Sequence, residues 1–231
     1  AWSSGGTLNT GRYTSAGAGT QTAGLAFGGG PGTIASTEEY NGTGWSNGGN
    51  LNTGRTRLEG AGTQTAGLAF GGQAPSVTGA TEEYNGSAWT TNPGSLNTAR
   101  YYLSGCGTQT AALGFAGATS PPEPSNLSNS TEEYNGSAWT AGGNLGTARY
   151  SLAGAGTQTA GLAFGGETSA IEDSATTEKY DGTSWSDGGN MATARRVLSG
   201  FGTQSAGLAF GGLPPGVTTA TEEYNSNINA F

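Results

Sequence analysis

The chain has 231 residues, of which 45 are Gly, 33% are hydrophobic and only 10% are charged. Its formal net charge is −8, from 16 acidic and 8 basic residues, and it contains one Cys and no His. These figures argue against a helical core, against nucleic acid or an anionic membrane as partner, and against chemistry that needs a histidine base or ligand.

The low charge also departs from the highly charged signature of disorder. No apolar run approaches the ~20 residues of a membrane span, so no membrane insertion is expected. Cys106 has no second Cys to pair with and reads as a small core residue. A start at Ala1, with no initiator Met and no visible signal peptide, reads as a processed product or an excerpt of a longer chain.

In chain order, Trp2 opens what reads as an outer strand. The phrase GTQTAGLAFGG follows at 19–29 and returns at 62–72, as GTQTAALGFAG at 107–117, as GTQTAGLAFGG at 156–166 and as GTQSAGLAFGG at 202–212. Trp2, Trp45, Trp89, Trp139 and Trp185 set spacings of 43, 44, 50 and 46 residues. A period of that size marks a solenoid, propeller or array. The units run approximately 2–44, 45–88, 89–138, 139–184 and 185–231 in a single domain.

Within the second unit, LEGAGT at 58–63 is predicted as a small-residue inner strand and GLAFGG at 67–72 as the next, with Leu68 and Phe70 on one face. TEEY at 81–84 is a third strand, and the stretch beginning AWT at 88 is a fourth. Asn85-Gly86 between the last two predicts a type I′ hairpin with positive φ at both residues, repeated at Asn41-Gly42, Asn135-Gly136 and Asp181-Gly182. That role also accounts for the Asn-Gly-Thr/Ser triplets, which match glycosylation acceptors. Variation is spent between the Gly-Gly end and TEEY, and the longest such loop runs from Ala118 to Ser130.

The order R-x7-T, Gly-Gly, variable loop, E-x-Y-(N/D)-G and then Trp resembles the kelch repeat, one four-stranded propeller blade. The resemblance spans the whole chain, departing at Ala116-Gly117 in the third unit. It implies an all-β, five-bladed kelch-like propeller with four antiparallel strands per blade. The N-terminal strand at Trp2 would join the C-terminal three, which end at Tyr224, and leave no open edge. It also implies partner binding on the face that carries the variable loops and the repeated Arg residues. The copper ligands of galactose oxidase and the Asp boxes of sialidase propellers have no counterpart here. A more general similarity links these repeats to kelch-like structural proteins of aquatic bacteriophages.

Two sets of repeated side chains are candidates for binding. Arg12, Arg55, Arg100, Arg149 and Arg195 form one set, with Pro121, Pro122 and Glu123 of the long loop on the same face. This ring of arginines reads either as structural Arg–Glu pairs or as a receiver for an acidic ligand or carboxylate-bearing glycan. Gln21, Gln64, Gln109, Gln158 and Gln204 occupy the opposite face, where they either bond to the adjacent blade or form a binding ring. In each Glu-Glu pair the first Glu shares a strand face with the Tyr two residues on, and the second is expected to face solvent, because Lys179 replaces it in the fourth unit. The repeated Trp and Tyr residues are expected to pack the blades.

No catalytic residue, metal site or cofactor is expected. The sequence therefore points to a non-enzymatic scaffold that recognises a protein or cell-surface glycan, extracellular or on a virion surface and as part of a larger assembly. The alternative is a lectin with one site per blade.

Overall fold

The computed structural model describes residues 4–122, 125–213 and 216–226. The protein is an all-β propeller of five antiparallel blades, and none of its described residues is helical. Blade one comprises β1 (Ala16–Thr20), β2 (Ala23–Phe27), β3 (Thr37–Tyr40) and β4 (Trp45–Asn47) in sequential order. Blade two comprises β5 (Glu59–Thr63), β6 (Ala66–Phe70), β7 (Thr81–Tyr84) and β8 (Trp89–Asn92). Blade three comprises β9 (Ser104–Thr108), β10 (Ala111–Phe115), β11 (Thr131–Tyr134) and β12 (Trp139–Ala141).

The two-residue strands β13 (Arg149–Tyr150) and β16 (Glu167–Thr168) pair above blade four. That blade itself comprises β14 (Ala153–Thr157), β15 (Ala160–Phe164), β17 (Thr177–Tyr180) and β18 (Trp185–Asp187). Blade five shows β19 (Ser199–Thr203), β20 (Ala206–Phe210) and β21 (Thr221–Asn225). The expected fourth strand of this blade begins at Trp2, which lies outside the described residues.

Local chemistry explains the strand ends. Thr63 pairs with Ala66, which leaves Gln64 and Thr65 as a two-residue turn, and Thr63 Oγ1 accepts a hydrogen bond from Ala66 N at 3.1 Å. The outer hairpin corrects the type I′ expectation. Tyr84 pairs with Trp89, so four residues make the connection, and Gly86 has φ +90° while Asn85 does not adopt positive φ. Asn85 works through its side chain instead: Oδ1 accepts from Ser87 N at 3.0 Å and Ala88 N at 2.9 Å. This is the Asx-type turn open to Asn and Asp, and Asp181 repeats it with Thr183 and Ser184.

The core lies between blades. Four hydrophobic clusters correspond to the four junctions between consecutive blades. In the first, Phe27 meets Trp89 with ring centroids 4.8 Å apart, and Trp89 Nε1 donates to Thr37 Oγ1 at 2.8 Å. Phe70 with Trp139 and Phe115 with Trp185 repeat the contact, and these indoles donate to Thr81 and Thr131. The facing surface must be small. A Cβ on Gly60 would stand 2.7 Å from the Phe27 ring, and one on Gly67 would stand 2.8 Å from Leu25 Cδ2. The glycine-rich composition is thus a consequence of stacking blade on blade.

Blades five and one do not reproduce these contacts among the described residues. Phe201 on β19 is 54% exposed. A Cβ on Gly211 would meet nothing within 4 Å, whereas its counterparts Gly28, Gly71 and Gly165 each face an arginine carbonyl of the next blade.

The buried indoles set the expected response to mutation. Trp139→Ala should destabilise the protein by about 3–5 kcal/mol, since it empties an aromatic site and orphans the Thr81 hydroxyl. A urea denaturation midpoint checks this, and an unchanged midpoint would remove Trp139 from the core.

Candidate functional site

The repeated arginines are inside the blades. All five side chains are no more than 1% exposed. Arg55 shows the pattern: Nη1 donates to Gly71 O at 3.0 Å and to Ala80 O at 2.6 Å, while Nη2 donates to Glu82 Oε1 at 2.9 Å. Glu82 Oε2 in turn accepts from Asn52 N at 2.7 Å. Gly71 and Ala80 are the two ends of the variable loop. Each arginine therefore clamps the base of its own blade's loop, and the pairs are Arg12–Glu38, Arg100–Glu132, Arg149–Glu178 and Arg195–Glu222 in the other blades. With these donors engaged and buried, the five guanidinium groups offer no surface to a ligand; the structural alternative of the sequence reading fits the geometry.

The glutamines are engaged too. Gln64 Nε2 donates to Gly24 O at 3.0 Å and Tyr40 O at 2.7 Å, both in the preceding blade. Gln109, Gln158 and Gln204 make the equivalent pair of bonds to the blade before them. Gln21, in blade one, is exposed. The second Glu is likewise employed in the first three blades, contrary to the solvent-facing expectation, whereas Glu223 of blade five is exposed. Glu39, Glu83 and Glu133 accept the phenol of the next blade's Tyr84, Tyr134 and Tyr180 at 2.5–2.6 Å. Burial first, and then the neighbouring carboxylate, push the Tyr84 phenol up to about 12.

On the loop face, the described parts of the long loop bond to each other. Ala118 bridges to Leu127, Thr119 N donates to Asn126 O at 2.9 Å, and Pro121 and Pro122 are exposed at its tip. Glu123 lies outside the described residues.

The sequence reading missed the two positions that follow each arginine. They read Tyr-Thr, Thr-Arg, Tyr-Tyr, Tyr-Ser and Arg-Val, inside a phrase that is otherwise nearly constant, and that contrast was the available signal. The second of each pair is left-handed without being glycine: Thr14, Arg57, Tyr102, Ser151 and Val197 have φ of 49°, 58°, 52°, 54° and 53°. Such conformations cost of order 1–3 kcal/mol for ordinary residues and persist where surrounding bonds fix them. Here the bonds run around the axis. Arg57 N donates to Thr14 O at 2.9 Å, Tyr102 N to Arg57 O at 3.0 Å, Ser151 N to Tyr102 O at 3.0 Å and Val197 N to Ser151 O at 2.8 Å. These residues rim an axial cavity of about 600 Å³ lined by the inner strands of all five blades.

Inside the cavity wall, Glu59 is the one acid among the lining residues. Its Oε1 accepts from Gly60 N at 2.8 Å, and Gly105 N and the Ser104 hydroxyl also serve the carboxyl. Burial outweighs these bonds and raises its pKa from 4.5 to about 7. Burial and the Glu59 charge together push the Cys106 thiol up to about 12, so it stays protonated, with Sγ 3.5 Å from Thr157 O. No family model and no curated protein matches the chain.

Two outcomes follow. Arg100→Ala should cost about 3–5 kcal/mol in chemical denaturation, because Glu132 would be left buried and unpaired, whereas Arg100→Met with Glu132→Leu should recover much of the loss. For Glu59, the folded protein holds the proton more tightly than the unfolded chain. Its contribution is therefore fully present below pH 4.5 and is lost as pH rises to about 7. Glu59→Gln should accordingly gain on the native protein by about 1–3 kcal/mol between pH 5 and pH 8, a difference that paired urea titrations read directly.

Proposed function

We propose that the protein is a non-enzymatic recognition scaffold that presents its loop face to a partner on a surface. The observation that carries this reading is the distribution of exposed apolar side chains. Among the described residues, four of the five large exposed hydrophobics, Tyr13, Ile171, Val197 and Val217, stand on the loop face. Loops and rims held on a rigid frame are the usual carriers of specificity. On the opposite face the GTQ turns barely vary, and four of the five glutamines spend their amides on neighbouring blades.

The kelch-like repeat order and the low-charge, Gly/Thr/Ser/Asn-rich blades favour an extracellular or virion setting, where the module would serve in structure or host attachment within a larger assembly. A glycan is the second reading of the partner, favoured by the tyrosines at the cavity mouth. Replacing 119–126 with a short Gly-Ser linker and changing Val197→Asp should weaken binding of labelled protein to bacterial cells or a glycan array, with the melting temperature retained. Loss of binding in Thr65→Lys and Thr110→Lys instead, with the loop variants unaffected, would move recognition to the turn face.

A further inference from the structure

In a chain of net charge −8, six of the seven arginines pair with a carboxylate. Arg196 follows this rule, held by Glu167 at 2.9 Å and Asp173 at 2.6 Å. Arg57 is the exception among the described residues. Its guanidinium lies 4.8 Å from the Tyr102 ring centroid and 5.6 Å from that of Tyr101, and Nη1 donates to the neutral Gln73 Oε1 at 2.8 Å. The nearby acid, Glu59, is served by backbone N–H groups and a hydroxyl instead. Tyr102 in turn meets the Tyr150 ring edge-on, with centroids 5.9 Å apart. Ring stacking and the Gln73 bond fix the plane of the cation, and the left-handed backbone at φ 58° fixes its origin on the cavity rim.

We propose that Arg57, held by Tyr102 and Gln73 at the mouth of the axial cavity, binds the carboxylate of an acidic sugar. This rests on the reading that the loop face is the recognition face. A stacked guanidinium keeps its planar fork of donors pre-oriented, and a carboxylate matches that fork with two parallel bonds. Nε and Nη2 of Arg57 are committed to no carboxylate, so a ligand can supply one. The cavity, of about 600 Å³, has the size of a small-ligand site. Its lining includes the exposed Ser15 and the Tyr102 ring, a polar and aromatic combination that suits a polyhydroxylated ring. An acidic peptide is the less favoured occupant. Strand-type capture of a peptide needs a free main-chain edge, and the amides of Arg57, Tyr102, Ser151 and Val197 at the mouth are already bonded around the axis.

Isothermal titration calorimetry and amide-shift mapping test the site with N-acetylneuraminic acid and D-galacturonic acid, with D-galactose as neutral control and N-acetyl-Glu-Glu-amide as the peptide arm. The acidic sugars should bind and D-galactose should not, with shifts centred on Arg57, Tyr102 and Tyr150. Arg57→Gln should weaken the acids by at least about tenfold, and Arg57→Lys, which keeps the charge without the fork, by less. A thermal melt of each variant separates loss of the site from loss of the fold, and Tyr102→Ser supplies a second disruption should Arg57→Gln melt early. No acidic-sugar binding up to about 10 mM, or binding unchanged in both variants, overturns the site. Binding of the Glu peptide alone overturns the ligand class while leaving the loop face as the recognition surface. That larger reading fails separately, through the Thr65 and Thr110 variants on the turn face.

Discussion

The buried arginine clamp is the constraint on which the recognition face depends. One guanidinium per blade joins the approach to the inner strand, both ends of the variable loop and a glutamate on the third strand. Desolvating such a charge is expensive, and a buried ion pair seldom repays that in stability alone. Its contribution here is geometric. The loop of blade three extends from Ala118 to Ser130 and that of blade one is far shorter, yet both leave and re-enter the sheet at an arginine that bonds the same two carbonyl positions. Loop length and composition can change without disturbing the base.

A second repeated constraint, the junction between blades, sets the composition. One side of a junction brings Leu and Phe, and the other brings Gly, Ala and an indole from the outer strand. The Gln amide at the turn and the Tyr phenol near the outer edge fasten the two rims of the same contact. Because every blade presents both sides, one phrase repeated through the chain serves as its own complement. Dispersion and apolar burial at this contact hold the stack, and the polar bonds set its register.

Function divides along the same lines. Residues used by the clamp and the junction are nearly constant between blades, whereas the loops and the two positions after each arginine differ. The axial rim therefore carries five chemically distinct side chains on one uniform backbone. Arg57 stands out there by its partners, since the other arginines are neutralised within the fold while it rests on tyrosine and a neutral amide.

Much of the architecture was legible in the sequence, because strands, turns and period are local properties. Alternation in GLAFGG, the Asn-Gly punctuation and the Trp spacing indicated four-stranded units, and the constancy of Arg and of the first Glu pointed to a pair. The outer turn was misread, since Asn85 and its equivalents act through side-chain oxygens where a backbone preference was expected. The use of the second Glu was also hidden. Its partner is a tyrosine about 45 to 51 residues along the chain in the next blade, and Lys179 in one unit suggested open solvent. Sequence by itself determined the repeat, the strands and the residues available to each face, because hydrophobic period and turn chemistry act over a few neighbours. Only the tertiary structure decided that the arginine ring is buried, that four of the five glutamines are spent between blades and that Arg57 lacks a carboxylate, because charge pairing and burial depend on which distant groups the stacked blades bring together.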